Sequence, residues 1–124
     1  MKNIKRILTV LFAVLLIVGG VNHFLNPGIY LPFIPAVLPA LLIIYLSGLI
    51  EVVLGVGALV PATRSLATQG ILILMIIFLP LHVVDVFKDN PAIGSHQAAI
   101  IRLPIQFVLI AWAWFISKKP VVGA

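Results

Sequence analysis

One acidic side chain in the sequence stands near the centre of a long apolar run. Glu51 lies within residues 41–60, which are otherwise almost entirely Leu, Ile, Val, Ala and Gly. A run of about 20 such residues matches the hydrocarbon core of a bilayer. A charge at that depth costs at least about 2.5–3.5 kcal/mol to insert, so the carboxylate should face polar groups of other segments.

The helix that carries Glu51 has one small and polar stripe. At about 100° per residue, the residues of this stripe are Ser47, Glu51, Gly55 and Ala58, with Gly48 at its edge. Small residues let a neighbouring helix approach closely. We expect this stripe to face the inside of a bundle and to turn Glu51 inward with it.

Six further polar residues are placed to meet Glu51. They are Asn22, His23, His82, Asp85, Arg102 and Gln106. His82 and Asp85 are three positions apart, so they share one helix face. Arg102 and Gln106 are four apart and share another. We predict that all seven residues line one pocket for a ligand or a proton in the outer half of the membrane; a purely structural polar network is the alternative.

Charge balance predicts how the pocket is neutralised. Arg102 is expected to offset Asp85 or Glu51, and the histidines are expected to donate to the remaining carboxylate. Histidine and carboxylate also bind metals, so His23, His82 and Glu51 raise the alternatives of a metal ion or a haem. Since no two of these ligands share a local motif, we predict no metal site and no covalent cofactor.

The composition excludes a soluble enzyme. Of the 124 residues, 63% are hydrophobic and only 9% are charged, and the mean hydropathy of +1.29 leaves too little polar surface to cover a globule. The net charge of +5 is therefore interpreted as a topology signal, and no nucleic-acid partner is predicted. The chain has no cysteine, which excludes disulfides and thiolate metal sites.

The apolar segments predict an all-α, integral membrane four-helix bundle formed by a single domain, residues 1–124. The predicted helices span about residues 7–25, 41–60, 65–87 and 96–117. A basic start before an apolar run also describes a signal peptide. We predict a retained first helix, because the run is long enough to span a bilayer and no small-x-small cleavage site follows. The Pro-rich segment from Pro27 to Pro39 is predicted to be an outer loop that folds back over the bundle as a lid.

Basic residues indicate the orientation of the bundle. With the amino terminus inside, the inner face collects Lys2, Lys5, Arg6, Arg64, Lys118 and Lys119. The outer side has only Lys88 and Arg102, beside Asp85 and Asp89. This positive-inside bias predicts a multi-pass protein of the bacterial inner (cytoplasmic) membrane with both termini cytoplasmic, and Trp112 and Trp114 fit an inner interface belt.

Several short motifs resemble the DoxX family of small four-helix membrane proteins, over nearly the whole chain. They are Gly20-Val21-Asn22-His23-Phe24 with Pro27, the Pro-rich segment to Pro39, Ser47-Gly48-Leu49-Ile50-Glu51 with Gly55, Pro61-Ala62-Thr63-Arg64, Leu79-Pro80-Leu81-His82, and Arg102-Leu103-Pro104-Ile105-Gln106 with Trp112-Ala113-Trp114. The family is named after relatives of a membrane subunit of a thiosulfate:quinone oxidoreductase, and related proteins include MauE. The resemblance implies a four-helix bundle with a role beside quinones or periplasmic redox chemistry.

The leading hypothesis is a membrane subunit that serves a quinone-linked redox process. His23, His82, Arg102 and Gln106 would hold the quinone carbonyls, while Glu51 or Asp85 carries protons. Electrons would come from a redox partner protein, so the chain is at most one subunit of an oxidoreductase. One alternative is a small module that transports a proton, a cation or a solute, for which homo-oligomers are expected. Another is a structural accessory subunit whose polar cluster fixes the helix register.

Overall fold

The structure, a computed structural model, describes residues 2–118, and this part of the chain folds into four long helices. They are α1 (Lys2–Leu25), α2 (Ala40–Leu59), α3 (Arg64–Val86) and α4 (His96–Ser117). Residues 2–118 contain no β-strand. Each helix is long and apolar enough to cross a membrane. The predicted all-α four-helix membrane bundle is confirmed.

The first helix begins earlier than the sequence pattern predicts. The structure starts α1 at Lys2 rather than near residue 7, because lysine and arginine are good helix formers and the basic start continues the helix. Inside that first part, the Thr9 hydroxyl donates to the Lys5 carbonyl oxygen at 2.7 Å. The other three helices begin and end within one residue of the predicted bounds.

Glycines bring α1 and α2 into close contact. A Cβ atom on Gly20 would lie 2.6 Å from the carbonyl oxygen of Gly48, and one on Gly55 would lie 2.8 Å from that of Ala13. Only residues without a Cβ permit this approach. The small stripe of α2 is buried at Gly48, Glu51, Gly55 and Ala58, as its spacing predicts.

The four helices pack unequally. The α1–α2 and α3–α4 contacts are the most extensive, the α2–α3 contact is smaller, and the α1–α4 contact is smaller still. The apolar core joins the two pairs through Phe12 and Ile71, which are almost fully buried. Trp112 closes this core by packing edge-on against Phe12, with ring centroids 4.8 Å apart, and its Nε1 donates to the Leu8 carbonyl oxygen at 3.1 Å. Trp112 therefore packs in the interior of the bundle, whereas Trp114 is exposed.

The bundle has two chemically different ends. We call the end where α1 begins and α4 ends the basic end, since Lys5, Arg6, Arg64 and Lys118 lie there. The opposite end is the loop end, formed by residues 26–39 and 87–95. Of the other two residues in the predicted inner charge cluster, Lys2 is described by its backbone alone, and Lys119 lies outside the described residues.

The Pro-rich segment folds onto the loop end, as predicted. It forms two short 3₁₀ turns, Pro27–Ile29 and Leu31–Phe33. Tyr30, between the turns, and Phe33, in the second turn, line a cavity inside the bundle. The Nζ of Lys88 donates to the Pro32 carbonyl oxygen at 3.0 Å. The segment thus closes the loop end over the helices.

Candidate functional site

The centre of the site is a contact between α1 and α2. His23 Nε2 lies 2.8 Å from Glu51 Oε2, and both side chains are about nine-tenths buried. The glycine contacts described above set this distance, because they let the two helices approach at the level of the pair. The convergence of Glu51 with a histidine of another helix, predicted from depth, is present in the structure.

Hydrogen bonding on the far side of the ring assigns the tautomer of His23. Its Nδ1 lies 2.9 Å from the Ile44 carbonyl oxygen, which can only accept, so Nδ1 carries a proton. The Ser47 hydroxyl donates to the same carbonyl at 3.0 Å and lies 3.2 Å from Nδ1. At 2.8 Å, the contact between Nε2 and the carboxyl group then also needs a proton, since two lone pairs would otherwise face each other. The pair therefore holds one shared proton inside the membrane span.

A cavity of about 510 Å³ opens beside this pair. All four helices and both segments of the loop end line it. Its polar lining residues are His23, Tyr30, Ser47, Glu51, His82, Arg102 and Gln106, and the rest of its wall is aliphatic or aromatic. Five of the seven predicted pocket residues thus line one cavity. A mostly apolar cavity with a few convergent polar groups is the usual form of a small-molecule site.

The lid contributes two rings to the cavity. The Tyr30 ring stacks on His23, with centroids 4.0 Å apart, and Phe33 meets His82 edge-on at 5.8 Å. Asn22, a predicted pocket residue, does not line the cavity; its Nδ2 donates to the Tyr30 hydroxyl at 2.7 Å. Asn22 therefore acts on the site by holding the lid in place.

The α3–α4 side presents Arg102 to the cavity. Its Nη2 donates to Gln106 Oε1 at 2.9 Å, and Gln106 Nε2 donates to the Met75 carbonyl oxygen at 2.7 Å. Gln106 is fully buried and so fixes the arginine between two helices. The other terminal nitrogen, Nη1, is buried and has no hydrogen-bond partner among the described residues. A buried charged donor without a partner costs about 1–3 kcal/mol or more, so Nη1 is a donor whose hydrogen-bonding need the described residues leave unmet.

The predicted charge pairing of Arg102 is wrong. Among the side chains that the structure describes, the one contact within salt-bridge distance is that between His23 and Glu51, so Arg102 pairs with neither Glu51 nor Asp85. The reason is local: Gln106, one helical turn away, offers an acceptor on the same face.

Asp85 lies outside the cavity. It is almost fully buried, but its carboxylate accepts from the backbone N–H groups of Ala92 and Ile93. The physical cause is that α3 ends at Val86, one residue later, so the following loop folds back over the side chain. Asp85 and His82 share a helix face, yet Asp85 holds the α3–α4 loop while His82 lines the cavity.

Two polar residues of the cavity, Ser47 and Tyr30, were not in the predicted set. The sequence could have identified Ser47 as a pocket residue, because it lies one turn before Glu51 on the same stripe. The indication for Tyr30 was weaker: it is a hydroxyl-bearing ring in an apolar loop that follows His23. In residues 2–118, no group of three His, Asp or Glu side chains is placed to hold a metal ion.

Comparison with protein families finds a match over most of the chain. Residues 12–117 match the family described as a domain of unknown function, DUF8561. Comparison with curated proteins and with solved structures finds no match. The family match overturns the resemblance to DoxX, which depended on short motifs of Gly, Pro and single polar residues that small polar-centred membrane bundles of different families can share. This chain belongs to the DUF8561 family.

Proposed function

We propose that the protein binds a small lipid-soluble molecule with a hydrogen-bond-accepting ring, a quinone headgroup, in the cavity between its four helices. The observation that carries this proposal is Arg102 Nη1, a buried donor without a hydrogen-bond partner in residues 2–118, on a residue that lines an apolar cavity. A carbonyl oxygen of the ligand would satisfy that donor. The aromatic walls fit a flat ring.

The His23–Glu51 pair supplies the second chemical element of the proposal. Its shared proton lies in the membrane span and beside the cavity. A bound quinone takes up two electrons and two protons when it is reduced. The pair would deliver one of these protons to the ligand, and the second would follow after the pair is reprotonated from water; on oxidation the pair would take the protons back. Arg102 would favour negative charge on the oxygen that it contacts.

The electrons would come from another protein. Without cysteine, the chain has no thiolate to hold an iron–sulfur cluster. We therefore propose a membrane subunit of a quinone-linked oxidoreductase that binds the quinone and moves protons, beside a redox partner protein.

Ligand retention tests this function. Native mass spectrometry with lipid extraction would compare gently purified wild type with Glu51→Gln and Arg102→Gln. We expect a quinone in the wild type and its loss in both variants. Asp89→Asn is the matched control, because it removes a carboxylate that is exposed and outside the cavity; it should retain the quinone.

Two other results would overturn the proposal in different directions. No quinone in any sample, together with proton or solute flux in reconstituted vesicles that Glu51→Gln abolishes, would assign the shared proton to transport. If neither quinone nor flux is found and Glu51→Gln is much less stable than wild type, the pair stabilises the helix packing of an accessory subunit.

We further propose that the basic end faces the cytoplasm of a bacterial inner membrane. The support is the positive-inside rule, because Lys5, Arg6, Arg64 and Lys118 lie at this one end. The chain has no native cysteine, so a cysteine introduced at one position is the only site that a thiol reagent can label, and its labelling shows on which side of the membrane that position lies. In intact cells a membrane-impermeant maleimide should label Asn90→Cys and leave Ala62→Cys unlabelled; the opposite pattern would invert the topology.

A further inference from the structure

A second cavity lies at the basic end and shares no lining residue with the first. It has a volume of about 340 Å³ and lies between the ends of α1, α3 and α4. Its four cationic lining residues are Lys5, Arg6, Arg64 and Lys118. A water molecule needs only about 10–15 Å³ of volume of this kind, so a phosphate group with a glycerol attached to it has room there.

Backbone carbonyls hold the cations of Arg64 and Lys5 in position. Arg64 Nε donates to the Ala58 carbonyl oxygen at 2.8 Å and Nη2 donates to that of Leu59 at 3.0 Å, which ties the guanidinium to the end of α2. Lys5 Nζ donates to the Lys118 carbonyl oxygen, which ties α1 to α4. Both cations are thereby ordered without losing their charge to a counterion.

The remaining two cations also lack an acidic partner. Lys118 Nζ lies 3.9 Å from the centroid of the Trp114 ring, a contact that orients an ammonium but does not neutralise it. Arg6 is exposed at the cavity mouth, and within residues 2–118 no carboxylate lies within salt-bridge distance of it.

No acidic side chain balances this cavity. The sequence has three carboxylates, at Glu51, Asp85 and Asp89. The first lines the other cavity, the second accepts from loop amides, and the third lies in the loop at the opposite end. The described residues thus bring four positive charges from three helices to one concave site with no negative charge. Such a site is complementary to an anion.

Two features add hydrogen-bond donors for that anion. The cavity reaches the start of α3, whose first backbone N–H groups have no acceptor within the helix. Ser65 also lines the cavity; its hydroxyl oxygen accepts from Gln69 Nε2 at 3.3 Å, which leaves its own O–H free to donate.

We propose that this cavity binds a phosphate group. Its place at the ends of three membrane helices sets it at the depth of lipid headgroups, so an anionic phospholipid is one source of that group and free inorganic phosphate is the other. The lipid source fits the general affinity of basic pockets between membrane helices for anionic headgroups.

Titration of the full-length protein in nanodiscs of phosphatidylcholine tests the proposal. Native mass spectrometry would count bound phosphatidylglycerol as its content is raised, in the wild type and in Arg6→Gln. Removing one basic residue near the headgroups should weaken phosphatidylglycerol binding about fivefold. Lys5→Gln combined with Arg6→Gln should weaken it by about 25-fold. Lys88→Gln, which removes one charge at the loop end, should change binding by less than about twofold.

A second titration distinguishes the two sources. Inorganic phosphate is added to detergent-purified protein freed of lipid, and the thermal midpoint is followed. A saturable rise that Arg6→Gln weakens, with no preference for phosphatidylglycerol over phosphatidylcholine, assigns the site to free phosphate. A phosphatidylglycerol preference without that rise assigns it to lipid. Equal effects of Arg6→Gln and Lys88→Gln, or no response to either anion, would overturn the proposal.

Discussion

Replacing Gly48 by alanine is expected to separate α1 from α2 beside the His23–Glu51 pair. The new Cβ would lie 2.6 Å from the Cβ of His23 and 2.9 Å from the carbonyl oxygen of Gly20. Ordinary contacts of this kind begin at 3.4 Å, so α1 must move by about 0.8 Å. Neither neighbour can turn away, because one is a backbone atom and the other is the first atom of its side chain.

The displacement acts on both stability and the site. A shift of 0.8 Å along the His23–Glu51 direction would lengthen their 2.8 Å contact to about 3.6 Å, beyond hydrogen-bond range. Overpacking costs about 1–3 kcal/mol. A hydrogen bond to a charged group is worth about 1.5–3 kcal/mol. The helix-propensity gain of alanine over glycine, about 1 kcal/mol, offsets part of this. We expect a net loss of about 1.5–5 kcal/mol in the free energy of unfolding.

Unfolding by SDS from mixed micelles measures this loss, and Gly70→Ala is the matched control. At Gly70 the nearest atom to a new Cβ is equally close, at 2.7 Å, but it is the terminal Cδ2 of Leu54, which can rotate away. Gly70→Ala should therefore stay within about 1 kcal/mol of wild type. Equal unfolding free energies for the two variants would refute the conclusion that backbone contact between α1 and α2 sets the geometry of the pair.

Two further substitutions test single hydrogen bonds. In Asp85→Asn one acceptor oxygen is lost, so the backbone amides of Ala92 and Ile93 should exchange hydrogen about ten- to a hundredfold faster, which corresponds to about 1.5–3 kcal/mol. In Trp112→Phe the ring contact stays but the donation to the Leu8 carbonyl ends, so the unfolding free energy should fall by about 0.5–1.5 kcal/mol.

Matched variants control both measurements. Asp89→Asn makes the same chemical change on an exposed side chain, and it should leave the exchange of the loop amides unchanged. Trp114→Phe removes an exposed indole, and its effect on unfolding should be smaller than that of Trp112→Phe. Faster exchange of the loop amides in Asp89→Asn than in Asp85→Asn would contradict the hydrogen bonds assigned to Asp85. A larger loss of stability in Trp114→Phe than in Trp112→Phe would contradict the one assigned to Trp112.

The parts of the fold and site that sequence could predict are those fixed by helical periodicity and depth. The period of 3.6 residues placed Glu51 with Gly55 and Ala58 on the buried face of α2, and the position of His23 in the outer half of its span placed it in the same pocket as Glu51. These properties depend on one helix at a time, and the membrane limits the ways in which such helices can assemble.

The parts that sequence reasoning missed depend on competition between partners. Arg102 had three possible acceptors, and the nearest in sequence, Gln106, was bound instead of a carboxylate on another helix. Asp85 lies one residue before the end of α3, where a loop backbone competes with the cavity for its carboxylate. Periodicity holds no information on loop conformation, so the bonds of Asp85 to the loop backbone could not be predicted from spacing. The spacing of Arg102 and Gln106 permits their bond, but it does not rank Gln106 against a carboxylate on another helix.

The contacts within the α1–α2 pair and within the α3–α4 pair are more extensive than those between the pairs, so relative movement of the two pairs disrupts the fewest contacts. His23 and Glu51 both belong to the tightly packed α1–α2 pair, and the bonds of Arg102 through Gln106 to Met75 remain within the α3–α4 pair. Sliding one pair against the other would therefore change the width of the cavity while every polar contact within each wall stays intact. On the proposed function, the distances within each pair would stay fixed for proton transfer and ligand orientation, while the distance between the pairs would change as the ligand enters or leaves.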